Sequence, residues 1–285
     1  MKNMIKKSSL IIMVSASVWI IFGQSCMKMR TSDPEAIKDF NDVGLKLQLS
    51  DKIEDGRTLH YASVGDSSKP TLFFIHGSPG SWGAFKKYMK DTGLLRYFRI
   101  VSIDRPGFGY SDYGKATDLT HQSQLIGSLI KQLQNGKSFY IIGHSLGGPL
   151  AVKLASHYAQ YISGMVLLAA SVDPAEEKPE RWRPVMRAFP LRYLLPGAFR
   201  PSNIELWKFK KDVLTMPDDL ANITCPVIIV QGLQDPLVPP GNAIYAQKQL
   251  IKAESVTMMP IPDANHFIPW TRYDSIKKAL MSLPH

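Results

Sequence analysis

Beyond about residue 45, short apolar runs recur along the chain, and most are followed by a longer stretch whose apolar residues fall at helical spacing. An apolar run bounded by turn residues suits a strand buried on both faces, whereas apolar residues at i, i+3, i+4 and i+7 suit a helix packed by one face. This patterning predicts strands at 45–49, 58–63, 71–75, 99–103, 139–142, 165–169, 227–230 and 255–259. It predicts helices at 82–90, 121–133, 146–159, 241–251 and 272–281. Helices interleaved with strands are what right-handed crossovers between parallel strands require. The expected class is α/β, with an eight-stranded, mostly parallel sheet flanked by helices.

Two regions break the alternation. Residues 174–222 carry several prolines, clustered arginines and bulky residues such as Trp182, Phe189, Tyr193 and Trp207, without a strand signal. Falling between the sixth and seventh strands, they predict a helical cap folded over the carboxyl end of the sheet, between a first core part at 42–173 and a second at 223–285. The cap's apolar inner face is expected to shape a substrate pocket, and its basic outer face to meet anionic lipid. At the amino terminus, Lys2, Lys6 and Lys7 precede an apolar run at 10–22 and then Gly23, Gln24, Ser25 and Cys26. That layout predicts a secretory signal at 1–25, because the run is shorter than the roughly 20 residues that span a bilayer. The small residues ending at cysteine resemble a bacterial lipoprotein box, from which Gln24 departs. The resemblance implies lipidation of Cys26, a polar tether at 26–41, and an exported protein held at a membrane of the cell envelope. A plain cleaved signal and an uncleaved anchor are the alternatives.

Composition changes little in this picture. With 45% hydrophobic and 20% charged residues the chain is ordinary for a globular protein, and its net charge of +10 favours anionic surfaces. Nucleic acid is not an expected partner, because zinc-ligand spacing, RNA-binding aromatics and a long basic helix are all missing. Cys225 opens a predicted strand and reads as buried rather than nucleophilic.

The candidate chemistry centres on 139–150, where an apolar strand runs through Gly143, His144, Ser145, Leu146 and Gly147 into a helix. A G-x-S-x-G pattern in strand-to-helix context lifts the serine hydroxyl clear of a tight turn, and the glycines remove side chains that would collide across it. In this the sequence resembles the α/β-hydrolase family from about residue 45 to the carboxyl terminus. His76, Gly77, Ser78, Pro79 and Gly80 look like that family's oxyanion loop, and Asp104 to Ser111 is similar to its next turn. The resemblance implies an oxyanion hole from the backbone amides of Ser78 and Leu146. It implies Ser145 as nucleophile, His266 in the last loop as base, and Asp235 as the acid orienting it. Asp173 is the rival acid, Asp263 lies too near His266 in sequence, and Asp104 with Arg105 reads as structural. Neither metal nor cofactor is called for. The implied reaction is cleavage of a small or medium carboxylic ester through an acyl-enzyme. Lactones, thioesters, carbon–carbon bonds, proline-releasing peptidase chemistry, cofactor-free haloperoxidation and a non-catalytic ligand-binding protein stay open. Epoxide hydrolases and haloalkane dehalogenases are disfavoured, since their nucleophile is an aspartate where this chain has Ser145.

Overall fold

A computed structural model describes residues 2–178 and 180–285. Helices α1 (Lys2–Cys26) and α2 (Asp33–Asn41) precede a hairpin of β1 (Gln48–Glu54) and β2 (Arg57–Val64). From β3 (Thr71–Ile75) the chain passes two single-turn helices, α3 (Lys86–Met89) and α4 (Thr92–Leu95), to β4 (Arg99–Ile103). Helix α5 (Leu119–Leu133) leads to β5 (Phe139–His144), and α6 (Gly147–His157) to β6 (Gly164–Leu168). An insertion with α7 (Phe199–Asp212) and α8 (Met216–Ala221) follows, and then β7 (Val227–Gly232), α9 (Gly241–Gln249), β8 (Val256–Ile261), α10 (Ile268–Thr271) and α11 (Tyr273–Met281).

The eight strands form one sheet in the order β1-β2-β4-β3-β5-β6-β7-β8, with β1 and β2 antiparallel to their neighbours and the remainder parallel. The expected architecture, an α/β-hydrolase-type sheet with a helical insertion after the sixth strand, is the one observed. Successive side chains of a strand point to opposite faces, so each central strand feeds two cores. Phe73, Val101, Ile141 and Ile229 pack against α5, α6 and α9, while Phe74, Ile100, Ile142 and Val230 pack against α2 and α11. Chain order reverses at β3, whose neighbours are β4 on one side and β5 on the other. Ligands of open α/β sheets bind in the crevice outside the carboxyl ends of the strands at such a reversal. Ile75 pairs with Gly143, so the loops leaving β3 and β5 emerge side by side there.

The amino-terminal third departs from expectation in two places. The first strand begins at Gln48 rather than Leu45, because Leu47 turns into the core near Phe40 and the pairing instead runs from Gln48 to Glu54 through mostly polar residues. The two-residue turn Asp55-Gly56, with both residues at positive φ, sets that register. The 26–41 tether is also not observed: α2 buries Ala36 and Phe40 completely, and Thr31 accepts hydrogen bonds from Lys86 and Tyr110. Apolar side chains every fourth residue made that segment a docked helix rather than a solvated leash.

Helix α1 exposes most of its apolar side chains and rests its carboxyl-terminal half on the insertion. There Trp19 Nε1 donates to Leu194 O at 3.1 Å, and Gln24 Nε2 to Leu195 O at 2.6 Å. Among the described residues no helix is long and apolar enough to cross a membrane. The side chain of Cys26, on which the lipidation expectation falls, lies outside the described residues.

Candidate active site

Ser145 stands between the last residue of β5 and the first turn of α6 at φ +54°, a left-handed conformation that a non-glycine residue adopts at a cost of about 1–3 kcal/mol. The surroundings enforce it. The Ser145 amide donates to Leu168 O on β6 at 2.9 Å, and its carbonyl accepts from Gly148 N at 2.9 Å. A Cβ on Gly143 would strike the Gly147 carbonyl, and one on Gly147 would strike the carbonyls of Ile75 and His76. Strand end, helix start and the β3 loop can approach this closely only because both positions lack a side chain.

His266 and Asp235 come together in the loops that leave β8 and β7. His266 Nδ1 hydrogen-bonds Asp235 Oδ2 at 2.7 Å, with both residues buried. The other carboxylate oxygen accepts the amides of Leu237 and Val238 at 2.9 and 2.8 Å. Burial pushes the Asp235 pKa upward, but the His266 hydrogen bond and these two amides outweigh it and leave the acid below the ordinary carboxylate value. An ionised Asp235 places the Nδ1 proton on His266 and turns Nε2 into an acceptor. The loops are laced together by Gln234 N donating to Ala264 O at 2.9 Å.

The rival acids are occupied elsewhere. Asp173 caps the amide of Ala175 at 2.8 Å, and Asp263 pairs with Arg272 at 2.7 Å. Ser145 is linked to the His266 loop through its neighbour: His144 Nε2 contacts His266 O at 3.1 Å, and the two rings lie 4.9 Å apart. Burial, and then the His266 ring, bring His144 down to about 3, so it is neutral and donates to that carbonyl. A hydrogen bond from the Ser145 hydroxyl to His266 is not among those of the described residues. Such contacts are often long before substrate binds.

Among the described residues, the amides of Ser145 and Gly148 are paired, whereas no hydrogen bond to a protein acceptor is seen for those of Ser78 and Leu146. They flank Ser145 from the β3 loop and the start of α6. Two amides without partners beside an upraised hydroxyl can receive an anionic oxygen.

Below this loop lies a charged group whose reach the sequence did not disclose. Arg105, fully buried, donates to His76 O at 2.8 Å, Gly77 O at 2.9 Å and Gln122 Oε1 at 3.0 Å. Its guanidinium also forms a bidentate pair with Glu205 of α7. Ser202, one turn earlier on α7, meets the Ser78 hydroxyl at 2.9 Å. The insertion is therefore fastened to the oxyanion-type loop itself. In the sequence only a lone acid within a basic, aromatic stretch hinted at Glu205. Asp104 is structural, as expected: its carboxylate accepts the amides of Trp82 at 2.7 Å and Tyr110 at 2.8 Å, and burial raises its pKa to about 6. His76 accepts the Arg105 amide at 3.0 Å and is held well below its ordinary pKa by burial and by the Arg105 charge. Among the described residues no group of three or more His, Cys, Asp or Glu side chains could hold a metal ion. Cys225 is a free thiol raised to about 11 by burial, which makes it unreactive.

Residues 70–206 match the family model described as alpha/beta hydrolase fold. Mouse epoxide hydrolase 3 is 25% identical over 150 residues, half of this chain and 40% of that protein. Pimeloyl-[acyl-carrier protein] methyl ester esterase of Vibrio campbellii is 34% identical over 127 residues, 44% of this chain and 45% of that protein. The chain thus spans about two fifths of the length of the curated relatives it matches. Among solved structures, a membrane phospholipase A described as a bacterial virulence factor superposes with a TM-score of 0.61 at 17% identity, over 99% of this chain and all of that one. At that identity the likeness is one of fold.

Proposed function

We propose that this chain, which has the α/β-hydrolase fold and matches that family's model over residues 70–206, is a serine hydrolase that cleaves a small or medium carboxylic ester. The observation carrying the reading is the buried 2.7 Å contact between His266 and Asp235, beside a serine held at positive φ between two undonated amides. In the first step Ser145 Oγ forms a bond to the ester carbonyl carbon while its proton passes to His266 Nε2. The carbonyl oxygen takes the negative charge and accepts from the Ser78 and Leu146 amides, each such donor being worth about 3 kcal/mol. Collapse breaks the bond to the alcohol oxygen, which leaves with the proton from His266. Water, deprotonated by the same nitrogen, then releases the acid and restores Ser145. Asp235 keeps its negative charge throughout and stabilises the imidazolium.

Epoxide hydrolases are among the named relatives, but the hydroxyl nucleophile at Ser145 and the esterase-named relative support ester cleavage instead. The test is Ser145→Ala. Turnover of short-chain p-nitrophenyl esters is expected to fall at least about 10⁴-fold with the melting temperature unchanged, and a fluorophosphonate probe should label the parent chain at Ser145 alone. A parent chain that neither turns over esters nor takes the probe is a ligand-binding protein on a hydrolase scaffold.

We further propose export, with cleavage before Cys26, lipidation of its sulfur and attachment to a membrane of the cell envelope. The basic start, the apolar run and the small residues before Cys26 support this, and the contacts of α1 with the insertion would then belong to the unprocessed chain. Mass spectrometry of the protein from a bacterial host tests it: an unmodified chain that retains residues 1–25 removes the proposal.

A further inference from the structure

A cavity of about 360 Å³ opens between the turn after β4 and the insertion. Tyr113 and Lys115 line it from the core, and Arg187, Arg192, Arg200 and Asn203 from the insertion. This lining is cationic. None of its four cations joins a carboxylate among the described residues, since the nearby acids Asp112 and Glu180 are engaged by Arg57 and Arg183. Lys28 and Arg30 approach the Tyr113 ring as well, at 5.7 and 5.6 Å from its centre, and Arg200 lies at 5.6 Å. The Tyr113 hydroxyl is buried without a hydrogen-bond partner.

Both features are unfavourable in isolation. A buried hydroxyl left unpaired is destabilising, and converging cations repel one another. One kind of species relieves both: a compact anion with several acceptor oxygens, which can take the planar forks of two arginines and the phenol proton together. A carboxylate offers two oxygens, and a phosphate offers enough for Arg192, Arg200 and Tyr113 at once. On α7, Arg200, Asn203 and Ile204 fall on the face opposite Ser202 and Glu205, the pair that touches Ser78 and Arg105. A helix about 10 Å across therefore separates the cavity from Ser145.

We propose that this cavity is an anion site that takes a phosphate group, whether of a soluble phosphate ester or of a phospholipid headgroup. It stands apart from the hydrolytic reading, and all its residues lie beyond Cys26, so processing leaves it whole.

The experiment is calorimetric titration of the full chain with inorganic phosphate, alongside sedimentation with vesicles of phosphatidylglycerol or of phosphatidylcholine alone. The double substitution Arg192→Gln and Arg200→Gln is expected to weaken phosphate binding about ten-fold or more. Tyr113→Phe, which leaves charge and shape unaltered, should weaken it several-fold. Lys131→Gln with Lys137→Gln, at the opposite end of the sheet, should leave it unchanged. Phosphatidylglycerol vesicles that bind much more tightly than inorganic phosphate, and lose that binding in the same variants, assign the site to a headgroup. Binding of phosphate without vesicle binding assigns it to a soluble ester. A parent chain that binds neither probe, or an arginine variant indistinguishable from the lysine control, overturns the proposal.

Discussion

Around Ser145 the polypeptide is fixed by backbone meeting backbone, whereas the insertion above it is fixed by side chains: Phe209, Val213, Met216 and Leu220 pack into the core, and a few polar and charged groups pin the rest. At the elbow, Gly143 and Gly147 let three chain segments touch, and the amide of Ser145 is held by Leu168. The polar anchors of the insertion include the Arg105–Glu205 pair, the Lys153–Asp219 pair at 3.0 Å, and the hydrogen bonds from Trp19 and Gln24 of α1. The contrast teaches that the two regions should fail differently. Close packing of main chain tolerates no added atom, while an ionic anchor can be lost and leave the sheet standing.

Gly147→Ala carries the largest expected effect, because the new methyl meets the carbonyl of Ile75 at the end of β3, which cannot retreat, and that of His76 just beyond it. A loss of 3 kcal/mol or more is expected, on the order of the worst overpacking substitutions, and would be read as loss of soluble protein or a large drop in urea midpoint. A stable, active Gly147→Ala protein would erase the distinction. Next comes Glu205→Ala, which strands the Arg105 guanidinium in the interior and should cost about 3–5 kcal/mol. Limited proteolysis sharpens this one: cleavage within 180–200 should precede cleavage in the core, and simultaneous cleavage would mean that the insertion and sheet unfold as one unit. Removing residues 1–26 is smaller. It deletes the Trp19 and Gln24 donors, so the insertion should become more protease-sensitive at 190–197 while the melting temperature of the sheet stays in place.

Asp212→Asn has the smallest expected effect, and it is stabilising. Burial, with Asp118 and Glu205 nearby, raises this carboxyl to about 6. The folded protein then holds the proton more tightly than the unfolded chain, so the native state loses stability as pH rises from about 4 through 6. Substitution by Asn keeps an acceptor for the Leu119 amide, which now donates to the carboxylate at 3.1 Å, and removes the charge. After allowance for solvent screening, a gain on the order of 1 kcal/mol is expected at pH 8 and none at pH 4, checked by thermal melts at the two values. Equal gains at both would exclude titration of this carboxyl as the cause.

The same contrast explains what the sequence disclosed. Central strands were legible because burial on both faces leaves an unbroken apolar run: Thr71–Ile75 and Arg99–Ile103 fall where the pattern puts them. The elbow and the last two loops were legible because tight turns demand particular residues at particular places. His266 and Asp235 meet as the order of strands implied. Edge and insertion were not. β1 is paired through polar residues, and the Asp55-Gly56 turn that sets its register went unused as a signal. α2 was read as a leash although Ala36 and Phe40 lie at helical spacing. Glu205 finds its partner 100 residues away, and no local pattern encodes that distance.

That long-range partnership has a mechanical consequence. The guanidinium of Arg105 clasps the carbonyls of His76 and Gly77 with some of its protons and Glu205 with others. Swinging α7 outward as a rigid flap would withdraw the counter-charge and slacken the same loop whose Ser78 amide the proposed mechanism aims at the reacting oxygen. In the proposed reaction α7 would therefore have to stay in place, as a fixed lintel over Ser145.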